Sequence, residues 1–158
     1  MNHIENNEKN DTMETQFLFN QFQNGRYEDV QLRLLVGKLI KGIQPAASRQ
    51  SSLIVNDISP AIYVTTDENL LATVINNLLA VIVTRNHSSC IRVSAKPFSN
   101  TVLMHIKDQN KHLKETSIND LDELQPLAAK VGGCITICNQ GKRSSTFAMS
   151  IADLAAVA

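Results

Sequence analysis

Polar side chains interrupt two of the most apolar stretches in this 158-residue sequence. Asn76 and Asn77 stand side by side in V-I-N-N-L-L-A-V-I-V-T-R-N, residues 74–86, and Asp108 ends the run V-L-M-H-I-K-D, residues 102–108. Amide and carboxylate oxygens can ligate a hard metal ion or accept hydrogen bonds from a bound molecule. The same residue types are also common at helix edges, bonded to backbone or water, and in turns that follow strands. The surrounding apolar pattern indicates which elements carry them.

Hydrophobic periodicity places the asparagine pair on a helix and Asp108 on a strand. The apolar residues around the pair recur with helical spacing, at Leu70, Leu71, Val74, Ile75, Leu78, Leu79 and Ile82. On that helix Asn77 lies beside the apolar arc, whereas Asn76 points away from it and is predicted to be solvated. Thr65 and Glu68 have the spacing of a capping box at the helix start. Residues 101–108 alternate between apolar and polar, which is typical of a half-buried strand.

The rest of the sequence predicts further helices and hairpins. An apolar face from Leu32 to Ile43 indicates a helix that Pro45 should kink or restart. Two short β-rich runs follow it, and Ser99-Asn100 has the turn residues of a hairpin. A short helix is predicted to end at Gly132-Gly133, before a closing hairpin. The order α-β-β-α-β-β-α-β-β predicts an α+β fold, a two-layer sandwich with helices on one face of a mixed, mostly antiparallel sheet.

Composition divides the chain into a leader and one domain. Residues 1–12 are polar and predicted to be disordered, 13–28 to form an N-terminal helical segment, 29–151 to form the domain, and 152–158 a C-terminal tail. The leader has no signal-peptide pattern, and no apolar run approaches the ~18 residues of a membrane span. We therefore predict a cytoplasmic protein without membrane contact. The zero formal charge and the lack of a basic stripe with interleaved aromatics argue against nucleic-acid binding.

Cysteine and histidine residues show no metal-binding pattern. Three cysteines, an odd number without a secretory context, fit a reducing compartment. Cys134 and Cys138 fall on one face of a predicted strand, and the pattern favours two small buried hydrophobic residues over a metal site. The four histidines have no ligand-like spacing. No metal site is expected.

Four stretches of the sequence resemble the ATP-binding domain of sensor histidine kinases, the GHKL or Bergerat fold shared with gyrase-type and chaperone-type ATPases. I-Q-P-A-A-S-R-Q-S-S-L-I-V at 43–55 is similar to the first helix and following strand of that family. D-E-N-L-L-A-T-V-I-N-N-L-L at 67–79 is similar to the helix that carries the N box. Residues 102–108 resemble the strand that delivers the adenine-binding aspartate, and 127–151 the closing helix, Gly-Gly turn and final hairpin. The resemblance covers about residues 30–151 and implies a histidine kinase-like ATPase fold.

Two motifs of the family are altered in this sequence. In the N box, Asn-Leu-Leu-x-Asn-Ala, the second asparagine holds Mg²⁺; the first corresponds to Asn77, and the second position holds Val81, which cannot ligate a metal. The next box, Asp-x-Gly-x-Gly, reads D-Q-N-K-H from Asp108 to His112, so the aspartate is present but both glycines are replaced. Asn110, in place of the first glycine, can still adopt a positive φ.

The resemblance also implies that the parts of the site that bind phosphate are missing. No glycine occurs between Gly42 and Gly132, so the family's lid and second glycine-rich segment have no counterpart, and no phosphoacceptor helix is visible. Ser145 and Thr146 correspond to hydroxyl groups that support the aspartate in the family, although such residues are also ordinary in a hairpin. The candidate residues of a relic nucleotide pocket are Asn77, Asp108, Asn110, Ser145 and Thr146. No catalytic residue and no metal ligand is assigned.

Phosphoryl transfer depends on positioning and on charge stabilisation by Mg²⁺ and phosphate-cradling groups. We therefore predict a degenerate histidine-kinase-type domain that acts as a non-catalytic signalling and protein-interaction module in a bacterial two-component-like pathway. Its partner would be a signalling protein, or a second copy bound through the N-terminal helical segment, and no cofactor is expected. The alternative is a small ATP-dependent protein kinase of the anti-sigma-factor or histidine kinase type, acting on histidine or serine. Binding of ATP or ADP without Mg²⁺ stays open, because Asp108 needs no metal.

Overall fold

The chain folds into a five-stranded sheet covered on one face by helices, with a separate two-stranded sheet beside it. The computed structural model describes residues 26–85, 87–109, 121–141 and 144–157. The strands are β1 (Tyr27–Gln31), β2 (Leu53–Asn56), β3 (Tyr63–Asp67), β4 (Cys90–Phe98), β5 (Thr101–Asp108), β6 (Ile135–Gly141) and β7 (Ser144–Ala152). The helices are α1 (Leu32–Arg49), α2 (Glu68–Arg85), α3 (Gln125–Lys130) and a C-terminal 3-10 helix (Leu154–Val157).

The five-stranded sheet is mixed and mostly antiparallel. Its strand order is β2-β4-β5-β7-β6, with β2 parallel to β4 and every later pair antiparallel. The hairpin turn between β4 and β5 falls at Ser99-Asn100, as predicted, with Ser99 at a φ of 56°. β1 and β3 pair antiparallel in the second sheet. The predicted α+β architecture is confirmed.

Side-chain alternation gives the larger sheet two unlike faces. The inner face joins the helices in one hydrophobic core, to which α2 contributes Leu71, Val74, Ile75, Leu78, Leu79, Ile82 and Val83. Along β5 the buried residues are Val102, Met104, Ile106 and Asp108. The opposite, outer face carries exposed or half-exposed residues: Arg92, Ser94, Lys96, Leu103, His105, Lys107, Thr146, Ala148 and Ser150.

Two features near the N-terminal side of the domain differ from the prediction. Tyr27 and Glu28, assigned to a helical segment, begin strand β1, whose polar sequence gives little local sign of a strand because its pairing with β3 is long-range. Pro45 does not restart the first helix, since α1 runs unbroken through it. Its ring lies on the exposed side of α1, where the free carbonyl of the preceding turn can meet water. Residues 1–25, which include the predicted leader and most of the helical segment, lie outside the described ranges.

The N-terminus of α2 is capped by Asp67, not by the predicted capping box. Asp67 Oδ1 accepts hydrogen bonds from the backbone N–H groups of Asn69 (3.0 Å) and Leu70 (3.2 Å). Thr65 lies inside β3, where its hydroxyl donates to Asp29 Oδ1 at 2.6 Å and its backbone N–H donates to Asp153 Oδ1 at 3.0 Å. The capping-box prediction was wrong because tertiary contacts occupy the threonine.

Asp67→Ala is expected to lower the free energy of unfolding by about 1 kcal/mol, the usual cost of losing an N-cap acceptor. Asp67→Asn keeps a side-chain oxygen in the same place and should lose much less. Urea denaturation of the two variants beside the wild type measures the difference. Equal midpoints for alanine and asparagine would show that the cap contributes nothing.

Strand β6 forms one edge of the larger sheet. The Gln125 side chain of α3 binds its first residue twice: Nε2 donates to Ile135 O at 2.5 Å, and Oε1 accepts from Ile135 N at 3.1 Å. Cys134 and Cys138, just before and within β6, are exposed free thiols. The prediction that they are buried was wrong: Cys134 precedes the strand, and Cys138 lies at an irregularity in the pairing of β6 with β7, between Ile137 and Asn139.

The C-terminal residues tie the two sheets together. Asp153 follows β7, and its Oδ1 accepts hydrogen bonds from Thr65 N in β3 and from Ala155 N at 3.2 Å in the 3-10 helix. The tail predicted from residue 152 onward is therefore part of the packed structure over its described residues. Within the described part of the chain, no helix is long and apolar enough to cross a lipid bilayer.

Candidate functional site

Asp108 is the most deeply buried charged side chain among the described residues. It is the last residue of β5, and the alternation that buries Met104 and Ile106 also turns the Asp108 side chain toward the helices. Its exposed fraction is 0 %. A carboxyl group in such a place needs hydrogen-bond donors, because burial removes the water that would otherwise solvate it.

Ser89 supplies one donor to Asp108. Its hydroxyl donates a hydrogen bond to Asp108 Oδ1. Ser89 lies in the turn between α2 and β4 and is itself buried; its backbone N–H donates to Ser52 Oγ at 3.2 Å, and its carbonyl accepts from Leu53 N at 2.9 Å. The turns that follow α1 and α2 are thereby joined into one support for the carboxyl group.

Sequence reasoning did not identify Ser89 or Ser52. The available signal was a pair of Ser-Ser dipeptides, each following a long apolar helix. The first serine of each pair has left-handed backbone, with φ 56° at Ser51 and 53° at Ser88. Short polar residues at such positions close a helix and point the next side chain inward, so the repeated dipeptide was a usable clue.

The second carboxylate oxygen of Asp108 has no partner among the described residues. Oδ2 is buried and accepts no hydrogen bond there. Burial raises the pKa of Asp108, and the hydrogen bond from Ser89 acts in the opposite direction. The site therefore holds a carboxyl group with one oxygen fixed and the other available to a hydrogen-bond donor that the described structure does not supply.

The raised pKa of Asp108 predicts a pH-dependent effect of Asp108→Asn. Near pH 4, close to the ordinary aspartate value of about 3.9, much of the side chain is protonated in folded and unfolded protein alike. As the pH rises through the higher folded-state pKa, the unfolded chain ionises more readily and the wild type loses stability. Asparagine cannot ionise, so the stability of the variant should rise relative to that of the wild type between pH 4 and neutrality.

Urea unfolding of Asp108→Asn and wild type at several pH values measures this difference. Asp122→Asn is the matched control, because it makes the same substitution at an exposed aspartate. A stability difference between Asp108→Asn and wild type that stays constant from pH 4 to pH 7.5 would show that folding does not raise the pKa of Asp108.

The structure brings only some of the predicted residues beside Asp108. Ser145 is its cross-strand partner in β7 and is also buried on the inner face. Thr146 pairs with Lys107, and the period-two alternation of strands directs its side chain to the outer face. Contrary to the expectation, it therefore does not support Asp108. Asn110 lies outside the described residues.

The two asparagines of α2 have different environments. Asn76 is exposed, as predicted. Asn77 is half-buried, and Val81, one helical turn later on the same side, packs against the hydrophobic core. Across the described ranges, no group of three or more His, Cys, Asp or Glu residues could hold a metal ion.

Comparison with solved structures shows which fold this is. The histidine kinase AdeS of Acinetobacter baumannii matches with a TM-score of 0.71 and 18% identity, over 91% of this chain and 76% of that one. The catalytic domain of the histidine kinase ThkA matches with a TM-score of 0.67 and 11% identity, over 81% of this chain and 97% of that one. ThkA in complex with the response regulator protein TrrA matches with a TM-score of 0.64 and 12% identity, over 96% of this chain and 50% of that one.

These likenesses define the class of fold. The chain has the fold of histidine kinase catalytic, ATP-binding domains, as the four sequence stretches implied. No protein-family model and no curated protein matches the sequence itself. At identities of 18% and below, the comparison establishes the architecture, and the chemistry has to be argued from the residues of this chain.

Proposed function

We propose that this chain is a signalling module that has the histidine kinase catalytic-domain fold but does not transfer phosphoryl groups, and that it works by binding a protein partner. The observation that carries the proposal is Val81. It occupies the position at which the N box of the family has its Mg²⁺-binding asparagine, and its side chain is packed against the core.

The missing ligand matters because of charge. A nucleotide triphosphate brings several negative charges into a partly desolvated site, and Mg²⁺ with phosphate-cradling groups normally offsets them. Valine offers no oxygen to a hard cation. The glycines that would let backbone N–H groups approach the phosphates are also absent from the sequence between Gly42 and Gly132. Without these groups, positioning and charge stabilisation of a transferring phosphoryl group are both lost.

The proposed partner is a protein of a two-component-like pathway. Support comes from ThkA, a structural neighbour that was solved together with the response regulator TrrA. A regulator-type protein is therefore the first partner class to test, in a cytoplasmic setting. A second copy of this chain, bound through residues 13–28, is the alternative partner, and that segment lies mostly outside the described residues.

A second candidate function, binding of an adenine nucleotide without Mg²⁺, is favoured by Asp108. Its Oδ2 is buried without a donor among the described residues, and its Oδ1 is held by Ser89. An exocyclic amino group, such as that of adenine, is a donor of the kind this oxygen lacks. Such binding would make the module a nucleotide sensor, and it would also be the first requirement of the kinase alternative.

Isothermal titration with ATP, ADP and a non-hydrolysable ATP analogue, each with and without Mg²⁺, separates these functions. For the non-catalytic module we expect no Mg²⁺-dependent binding and no transfer of labelled phosphate from ATP to the protein. Thermal unfolding gives a second readout, because nucleotide at about 100 times its dissociation constant would add about 2.7 kcal/mol of stability.

The variants decide between the remaining outcomes. Binding that needs no Mg²⁺, disappears in Asp108→Asn and persists in Asp122→Asn would establish the adenine contact. Micromolar binding that requires Mg²⁺, together with phosphate incorporation, would overturn the non-catalytic proposal and make the chain a kinase. No binding at millimolar nucleotide would leave protein recognition as the function of the fold.

A further inference from the structure

The outer face of the five-stranded sheet is basic. Arg92, Lys96 and Lys107 are exposed on it, and His105 is half-exposed between them. Within the described strands, no acidic side chain lies on this face; Asp57, from the segment after β2, reaches its margin and forms an ion pair with Arg92.

The cations of the outer face are arranged unfavourably for an isolated sheet. Arg92 and Lys107 are direct cross-strand partners, so two positive side chains stand opposite each other. Like charges in that relation are destabilising. Among the described residues, Lys96 and Lys107 have no carboxylate within ion-pair distance. An anionic group laid across the strands would relieve this repulsion.

Apolar side chains lie on the same face. Leu103 is half-exposed opposite Lys96. Phe98, at the end of β4, is 66% exposed, and Leu53, at the start of β2, is 57% exposed. The outer face therefore suits a segment that combines carboxylates with large apolar residues.

The N-terminal leader of this chain has that composition. Residues 1–14 hold four of the chain's 15 acidic residues, Glu5, Glu8, Asp11 and Glu14, and one of its 15 basic residues, Lys9. The neutral chain thus divides into an acidic leader and a remainder that carries three more basic than acidic residues. Directly after the acidic stretch come Phe17, Leu18, Phe19 and Phe22.

We propose that the acidic leader docks on the outer face of its own domain, with its carboxylates against Lys96 and Lys107 and its phenylalanines against the exposed apolar side chains. Length allows this: 25 residues precede Arg26, and at about 3.3 Å per extended residue they can span on the order of 80 Å. Tethering adds to the attraction, because the linker holds the leader and the outer face at an effective concentration of about millimolar relative to each other. A docked leader would cover the outer face. The proposal does not depend on whether the domain binds nucleotide.

Carbodiimide cross-linking of the full chain tests the docking, because the reagent joins carboxylates only to lysines in contact with them. Cross-links from leader carboxylates should favour Lys96 and Lys107 over Lys38 and Lys41 by roughly tenfold. The latter two are exposed lysines on α1 and serve as the matched controls. The preference should disappear at about 1 M salt, where the Debye length falls to about 3 Å.

A mixture of ¹⁴N- and ¹⁵N-labelled protein distinguishes docking within a chain from docking between chains. Cross-linked peptide pairs that carry a single nitrogen isotope support the proposal. Pairs that combine ¹⁴N and ¹⁵N would show instead that the leader of a second copy occupies the outer face. Equal coupling to all exposed lysines, or preferential coupling to Lys38 and Lys41, would overturn it.

Cleavage of the leader by a glutamate-specific protease gives an independent readout. In Lys96→Gln/Lys107→Gln, cleavage after Glu5, Glu8 and Glu14 should be roughly fivefold to tenfold faster than in the wild type, because the tethered contact is weakened. Lys38→Gln/Lys41→Gln should leave the cleavage rate unchanged. All four lysines are exposed, so folding is retained and circular dichroism can verify it. Equal rates in the two double variants would contradict docking on the outer face.

Discussion

Gly133→Ala is expected to destabilise the protein by about 3 kcal/mol or more, at the upper end of what overpacking costs. A Cβ built on Gly133 would lie 1.7 Å from the carbonyl oxygen of Ser150 in β7. That neighbour is backbone within the sheet and cannot rotate away, so either the turn after α3 or strand β7 must move. The glycine also closes the helix, because its N–H donates to Ala128 O at 3.0 Å.

Denaturation in urea measures the effect, with Gly42→Ala as the matched control. Gly42 lies within α1, and nothing comes within 4 Å of the position of an added Cβ. The same substitution there should stabilise the protein by about 0.5–1 kcal/mol, because alanine is the better helix former. If both variants shifted the midpoint alike, the close approach of Gly133 to β7 would not exist in solution.

Phe147→Ala is expected to cost about 3–5 kcal/mol, the range for removing a buried aromatic ring. Phe147 is 2% exposed, and it lies between Ile106 of β5 and Ile137 of β6 in the register of the sheet. For a chain of this size the melting temperature should fall by on the order of 10 °C. Phe147 is two residues from Ser145, the cross-strand partner of Asp108. The residues around Asp108 should therefore be less rigid in any protein that still folds.

Phe98→Ala provides the control for that loss. The same ring is removed, but Phe98 is 66% exposed, so the change in stability should stay within about 0.5 kcal/mol. Differential scanning calorimetry of both variants measures the contrast. Similar melting temperatures would mean that β7 does not pack on the core as described.

The parts of the fold that could be predicted are those in which one element carries its own pattern. The spacing of the apolar residues in α2 was enough to predict which side of the helix is buried. It also predicted that Asn76 is exposed and that Asn77 lies at the edge of the buried side. β5 and β7 alternate over eight and nine residues, which was enough to indicate their inner faces. The burial of Asp108 follows directly from the alternation in β5.

The parts that could not be predicted depend on contacts between distant residues. β1 has a single buried residue, Val30, and becomes a strand because β3 pairs with it. Ser89 meets Asp108 across 19 positions of sequence, through the closure of a turn that no local pattern fixes. The resemblance to the family named Ser145 and Thr146 together, and it did not indicate that only Ser145 lies opposite Asp108 in the register of β5 and β7.

The hydrogen bonds between Gln125 and Ile135 have a consequence for behaviour at high concentration. An edge strand offers its free N–H and C=O groups to any other extended chain, and edge-to-edge pairing is a common start of aggregation. At Ile135 both groups are already hydrogen-bonded to the side-chain amide of Gln125, in the way that a neighbouring strand would bond them. Growth of the sheet by addition of a strand at the start of β6 is therefore blocked, which protects the molecule from open-ended self-association at that end of the edge.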